Sequence, residues 1–395
     1  MLYDYHIANK ETQIEMRGID RTALVDLERL VSRYCRKKQT PLTIEQFTKF
    51  GEHASPKTSY KFLRSEVPVR FAHILQEVGH LPMNLTSKSS VQEVYQMYLE
   101  SFANLVNYRE RDSSASTLDE FTKTLQDIKT KHADVVKIMA EGIMELRGAE
   151  GEEAFAPTVQ YFLNRFYKNR VGVRMLINQH LALFDEELTR STKSRFIGLF
   201  DPDLNVREVV MDAASNAAEL CDHYYFESPN IVVRSHNKVN LGDEIQVCYV
   251  PSHLYQVLFE TFKNAMRATL DENQHCTEKP DVEVDIYKST EDVTICIADK
   301  GGGIPRAKMH QLFDYHYTTA TTPEQDGPVA PFAGYGYGLP LSRIYAQYFG
   351  GDLKLISIEG YGTEAYIYLK SMSEKAVEDV STYNKAVAKT YSTLE

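Results

Sequence analysis

Residues 299–305 read "DKGGGIP" (Asp299 to Pro305): three consecutive glycines behind an aspartate that ends the apolar run "DVTICIAD". Glycine loses more conformational freedom on ordering than any other residue. Three together imply unusual dihedrals or something packed against bare backbone. Taken alone the stretch is a flexible turn. Upstream, "PSHLYQVLFETFKNAMRATL" (251–270) has helical period, with Leu254, Val257, Leu258, Phe262 and Ala265 on one face. The opposite face carries His253, Gln256, Glu260, Lys263, Asn264 and Arg267. Glu260, Asn264 and Arg267 fall at i, i+4 and i+7, so their side chains leave the helix on the same side. By itself that is a solvated face. Downstream, "AGYGYGLP" (333–340) alternates Gly334, Gly336 and Gly338 just before an apolar helix. Exposed backbone N–H groups beside a helix N-terminus make a phosphate cradle. The signal is weak alone, because neither a Walker A nor a strand–GxGxxG–helix unit is present.

Working outward, the chain has two halves of different period. Up to about His180 it is helical. Val91, Val94, Tyr98, Leu99, Phe102, Leu105 and Val106 form one stripe. Leu118, Phe121, Leu125, Ile128, His132, Val135 and Met139 form the next, read as one helix. Val159, Phe162, Phe166, Asn169, Val173, Leu176 and His180 form a third. Seams of this spacing belong to near-antiparallel bundles, and with the basic amphipathic helix over 21–38 they predict a four-helix bundle. After Asp201 short β-rich runs ("NIVVRS", "IQVCYV", "VEVDIYK", "DVTICIAD", "LKLISIE", "EAYIYLK") alternate with helices at 206–221, 252–270 and 339–349. That arrangement predicts a mixed α/β sandwich. The segment 321–331 is turn-forming and is read as a mobile loop. The expected division is 1–190 for the helical part and 191–395 for the α/β part with its C-terminal tail.

With 43% hydrophobic and 25% charged residues the chain is globular. A net charge of −11 gives no support to a general nucleic-acid-binding role. No apolar run approaches the ~20 residues a membrane-spanning helix needs. Five cysteines without C-x-x-C spacing read as reduced thiols, with no zinc or disulfide implied. The N-terminus has no signal-peptide apolar region. Asp26 and Glu28 make residues 21–38 a structural first helix rather than a transit peptide, so an import sequence is expected to be absent or already removed.

The order "ETFKNAMR", "DKGGGIP", "GYGYGLP", "GYGTEA" resembles the conserved elements of the ATP-binding fold shared by gyrase, Hsp90, histidine kinases and MutL, the GHKL superfamily. The wording is closer to the mitochondrial kinases of α-keto acid dehydrogenases. "PSHLYQVLFETFKNAMRATL", "YFLNRFYKNRVGVRMLINQH" and "LPLSRIYAQYFGGDLKLISIEGYGTEAYIYLK" are similar to the pyruvate dehydrogenase kinase pattern, and the likeness runs from about Thr43 to Tyr391. It implies a protein serine kinase using ATP and Mg²⁺, with the E1α subunit of pyruvate dehydrogenase as substrate. In it Asp299 anchors adenine, and Gly301 and Gly303 let base and ribose approach the backbone. Asn264 holds Mg²⁺, an oxygen ligand for a hard cation. Lys263 and Arg267 offset phosphate charge, and Thr318 and Thr319 lie near the nucleotide. Gly334, Tyr335, Gly336, Tyr337, Gly338 and Leu339 wrap the phosphates, and Thr363 closes the adenine pocket. Glu260 orients or deprotonates the substrate serine. The resemblance further implies a homodimer in the mitochondrial matrix, a bundle that docks a lipoyl domain of the E2 acyltransferase, and no transmembrane segment or nucleic-acid partner. Segments "KHADVV" and "KNRVGVR" resemble those forming an inhibitor pocket for pyruvate or dichloroacetate, with the carboxylate between His132 and Arg170. A core histidine at His132 and an Arg170 paired with Asp134 or Glu141 is the simpler alternative.

Three departures qualify the likeness. Gln256 stands one turn before Glu260, where many members carry histidine, and glutamine cannot become a cation. The chain has no tryptophan, so the Asp-Trp tail that crosses between subunits in animal members is not carried over. "DYHYTT" is nearer the branched-chain kinases, which leaves a branched-chain α-keto acid dehydrogenase kinase as the alternative. More distant readings fit worse. A histidine kinase needs an H-box that neither His132 nor His180 supplies. A clamp like Hsp90 places its nucleotide domain first, and a pseudokinase would not keep Glu260, Asn264 and Asp299 together.

Overall fold

The computed structural model describes residues 21–150, 157–185, 195–315, 317 and 336–394. Eight helices come first: α1 (Arg21–Cys35), α2 (Ile44–His53), α3 (Pro56–Val78), α4 (Met83–Thr86), α5 (Ser89–Val106), α6 (Ala115–Lys131), α7 (Val135–Glu150) and α8 (Pro157–Phe184). There follow β1 (Asp201–Asn205), α9 (Val206–Tyr225), β2 (Ile231–Asn237), β3 (Gln246–Tyr249), α10 (Pro251–Glu272), β4 (Val282–Lys288) and β5 (Asp292–Ala298). The chain closes with α11 (Gly338–Gln347), β6 (Asp352–Ile358), β7 (Gly362–Lys370) and α12 (Lys385–Leu394). Two compact units result: residues 1–39, 60–162 and 382–395 in one, 40–59 and 163–381 in the other. The segment 321–331, read as a mobile loop, lies outside the described residues.

In the first unit α5 packs against α6 and α7, burying Val91, Val94, Tyr98, Leu99, Phe102 and Leu105. The single helix expected through Met139 is two. α6 ends with His132 as its C-cap, and α7 begins after Asp134, whose carbonyl accepts the N–H of Ile138. Aspartate is a strong N-cap residue, and the break falls there. The three-and-four spacing persists across it, since Phe121, Leu125, Ile128, Val135 and Met139 are all buried. Periodicity reports which side faces the core and is blind to a turn that keeps the phase.

The second unit is built on a five-stranded sheet of order β2-β4-β5-β7-β6. β2 and β4 pair in parallel and the remaining neighbours are antiparallel. Val282, Val284 and Ile286 of β4, with Val293, Ile295 and Ile297 of β5, alternate inward as the period-2 pattern requires. α9, α10 and α11 pack on the sheet, and α10 lies between the other two. α10 starts at Pro251, whose fixed φ suits the first helical turn. A separate pair, β1 with β3, is antiparallel. This is the mixed α/β layer that the alternation of strands and helices predicts.

Candidate active site

α10 positions four of the expected residues on one face. Glu260 Oε1 receives Lys263 Nζ at 2.9 Å, with both side chains largely shielded. Lys263 also sits 5.2 Å from the centre of the Phe259 ring. The other side of Glu260 is closed by the N-terminus of α11. Gly338 approaches so closely that a Cβ there would collide with Glu260 Oε2. The pair therefore holds Glu260 in one place, with 18% of its side chain still exposed. Asn264, one turn on, is exposed, and its amide oxygen is open to a ligand. Arg267 lies 3.6 Å from Asp271 on the following turn. Two cations expected to face phosphate are thus engaged with carboxylates of their own helix.

The carboxyl of Asp299, 8% exposed, stands at the end of β5. Its Oδ1 accepts the N–H of Gly301 at 2.9 Å and of Thr363 at 3.3 Å. Among the described residues nothing donates to Oδ2. Burial pushes the carboxyl up to about 6, against the two backbone donors that pull it down. A buried carboxyl with one oxygen left over fits a donor from outside, such as an exocyclic amine. Thr363 supports this group through its backbone. Its hydroxyl pairs at 2.9 Å with Ser357 Oγ, which accepts the N–H of Ile304 at 2.7 Å.

The glycines after Asp299 are demanded by the chain itself. A Cβ on Gly301 would run into the Ala268 backbone of α10, and one on Gly303 into the Ile358 carbonyl of β6. Gly302 and Gly303 have φ of +74° and +68°, where side chains are strained. The bare backbone lets α10 and β6 close on the loop.

Farther on, Gly336 has φ +82°, and Gly338 and Leu339 open α11. The Tyr337 ring is buried, 5.1 Å from that of Tyr315 and 6.1 Å from that of Tyr167. Its side chain is a core element. Thr318, Thr319, Gly334 and Tyr335 lie outside the described residues. The two expected effector residues belong to different compact units. His132 is buried, with Nε2 at 2.9 Å from Ser101 Oγ and its ring 4.5 Å from that of Tyr98. Ser101 gives its hydroxyl hydrogen to the Met97 carbonyl at 2.8 Å, so the imidazole is the donor to Ser101. Arg170 is buried on α8.

Sequence reasoning missed Ser357, a polar residue inside "LKLISIE" whose only signal was that polarity. It also missed Ala268 as the small residue that admits Gly301.

Among known proteins, residues 41–201 match the family model described as mitochondrial branched-chain alpha-ketoacid dehydrogenase kinase. Residues 249–372 match that of the histidine kinase-, DNA gyrase B-, and HSP90-like ATPases. Human mitochondrial pyruvate dehydrogenase (acetyl-transferring) kinase isozyme 1 is 44% identical over 365 residues, 91% of this chain and 84% of its own length. The Drosophila melanogaster pyruvate dehydrogenase kinase is 44% identical over 378 residues, 94% and 91% respectively. Mouse isozyme 3 is 45% identical over 368 residues, 92% and 88%.

Proposed function

The chain belongs to the mitochondrial pyruvate dehydrogenase kinase family, and from that premise we propose that it phosphorylates a serine of the pyruvate dehydrogenase E1α subunit with ATP, inactivating it. The observation that carries this is the juxtaposition of a fixed Glu260 with an α11 N-terminus built to meet it. Glu260 receives the serine hydroxyl and takes its proton as the serine oxygen bonds to the γ-phosphorus, the bond from that phosphorus to the β,γ-bridging oxygen breaks and ADP leaves. Lys263 keeps the carboxylate in register, and the backbone from Gly334 to Leu339 lies along the phosphates. Asp299 takes the adenine amine on Oδ2, with Gly301, Gly303, Thr318, Thr319, Arg267 and Thr363 around the nucleotide. Asn264 would hold Mg²⁺, which would supply neutralisation of the phosphate charge.

In this reading residues 1–190 are a regulatory four-helix bundle that docks the E2 lipoyl domain, and residues 191–395 are the kinase half. The protein is a homodimer of the mitochondrial matrix. None of the described helices is long and apolar enough to cross a membrane. Pyruvate or dichloroacetate lowers the activity without competing with ATP. Arg170→Ala removes that inhibition and leaves basal transfer measurable, and a folded mutant still inhibited as before would end the assignment of His132 and Arg170. The deciding experiment is incubation with ATP·Mg²⁺ and purified pyruvate or branched-chain dehydrogenase. Phosphoserine on the former is expected, and phosphate confined to the latter would overturn the substrate assignment.

A further inference from the structure

The loop from Asp299 to Pro305 is fastened to two neighbours. Toward the sheet, the Gly302 carbonyl accepts the N–H of Gly360 at 2.7 Å, and Ile304 gives its N–H to Ser357 Oγ. Toward α10 it lies directly on the last turn: a Cβ on Gly301 would run into Ala268, and one on Gly302 into the Glu272 carboxyl. Among the described residues one side-chain hydrogen bond joins that end of α10 to the loop. Asn273, the C-cap of α10, gives an amide N–H to the Lys300 carbonyl at 3.2 Å. The other hydrogen of the same nitrogen goes to the Thr269 carbonyl at 2.8 Å. Both partners are carbonyls, which only accept, so the amide nitrogen is the atom that faces them. The main chain of Asn273 is seated as well, its carbonyl accepting Cys276 N–H at 3.0 Å and Lys279 Nζ at 2.9 Å. Lys279, its side chain 8% exposed, is in turn 3.3 Å from Glu227, two residues past the end of α9.

Asn273 grips one end of a peptide whose other end serves Asp299. The Lys300 C=O and the Gly301 N–H belong to the same peptide unit, which is planar and trans, so the two groups point in opposite directions. That N–H goes to Asp299 Oδ1 at 2.9 Å. Fixing the carbonyl therefore fixes the direction of the N–H. A hydrogen bond received at the carbonyl also polarises the amide and strengthens the bond it gives. Gly301, on one side of this peptide, offers no side chain to resist its turning, so the restraint comes from the carbonyl. The second donor to Oδ1, the Thr363 N–H, is farther off at 3.3 Å. The peptide held by Asn273 is thus the closer of the two contacts that orient the carboxyl and decide where Oδ2 points. Resting on the reading of Asp299 as the adenine anchor, we propose that Asn273 is a positioning residue: by holding the Lys300–Gly301 peptide against the end of α10 it aims the Asp299 carboxyl, and so sets the selectivity for a nucleotide that bears an exocyclic amine.

The test titrates the full chain at pH 8 with Mg²⁺ and either ATP or purine riboside triphosphate, the same nucleotide without its exocyclic amine; calorimetry reads both affinities. The unaltered chain is expected to favour ATP by about tenfold or more, the worth of a hydrogen bond to a charged group, and Asp299→Ala to lose that preference. Asn273→Ala should cut the preference about threefold to tenfold, the worth of one ordinary hydrogen bond, through weaker binding of ATP. Asn273→Asp, of the same shape but with no N–H to give, should cut it equally; thermal unfolding confirms that both are folded. A preference that both Asn273 variants keep, while Asp299→Ala loses it, overturns the proposal and leaves the anchor standing. An equal loss of affinity for the two nucleotides, with a lowered unfolding temperature, makes Asn273 a helix cap only and overturns it too. No preference for ATP in the unaltered chain, or one indifferent to Asp299→Ala, defeats the anchor reading and the proposal with it.

Discussion

His132 and Asp299 are both buried polar side chains at the end of a regular element, one closing α6 and the other following β5. Their neighbours treat them differently. His132 gives its Nε2–H to Ser101 and meets the Tyr98 ring edge-on, so that nitrogen is used inside the first unit. Asp299 spends one oxygen on two backbone donors and keeps the other. The difference shows that an odd residue at a core position marks a site when its hydrogen-bonding capacity is left over, because only a ligand can then offset the cost of burying it.

The comparison breaks most decisively at Glu260. Glu260→Gln is expected to lower phosphotransfer by a factor on the order of 10²–10⁴ with nucleotide binding largely intact. Turnover by that variant at the unaltered rate would remove the carboxylate from the chemistry. Next in size, Asn264→Ala should abolish the Mg²⁺-dependent part of ATP affinity, since the exposed amide has no substitute on its face; calorimetric titration with and without Mg²⁺ reads this directly.

Asp299 sharpens the contrast through pH. Its carboxyl titrates near 6 in the folded chain against the ordinary value of 3.8. The folded state therefore holds this proton more tightly, and its contribution to stability is lost as pH rises from about 4 through about 6. Nucleotide affinity runs the other way, because the ionised oxygen is the better acceptor. ATP binding should weaken as pH falls below 6, and Asp299→Ala should cost about 10- to 100-fold at pH 8. A flat affinity from pH 5 to 8 would exclude Asp299 as the anchor.

In the first unit, His132→Ala should lower stability by about 2 kcal/mol, the joint effect of a lost buried hydrogen bond and lost ring packing. An unchanged denaturation midpoint would show that His132 is no part of the core. The smallest effect is expected at Thr363→Val, which keeps the backbone donor to Asp299 and removes only the hydroxyl paired with Ser357. About 1 kcal/mol of stability is at stake. A loss of ATP affinity beyond tenfold would mean that the hydroxyl meets the nucleotide itself.

The sequence alone determined the motif order, the two faces of α10, the alternation in β4 and β5, and a helical first half preceding a mixed sheet. Each is a periodicity or a local conformational demand, set by residues a few positions apart. Tertiary structure decided what each face meets. Glycines 301–303 are bare so that Ala268 and Ile358 can close on them, contacts 33 and 55 residues away in the chain. Lys263 and Arg267 look alike in sequence, yet one steadies Glu260 and the other turns to Asp271. The ring of Tyr337, in a glycine-rich segment whose spacing says nothing of it, is drawn into a tyrosine cluster. The break at His132–Asp134 keeps the hydrophobic phase and so leaves no trace in the pattern. Spacing encodes direction from an element's axis; the partner that fills that direction comes from elsewhere in the chain, and only packing brings it there.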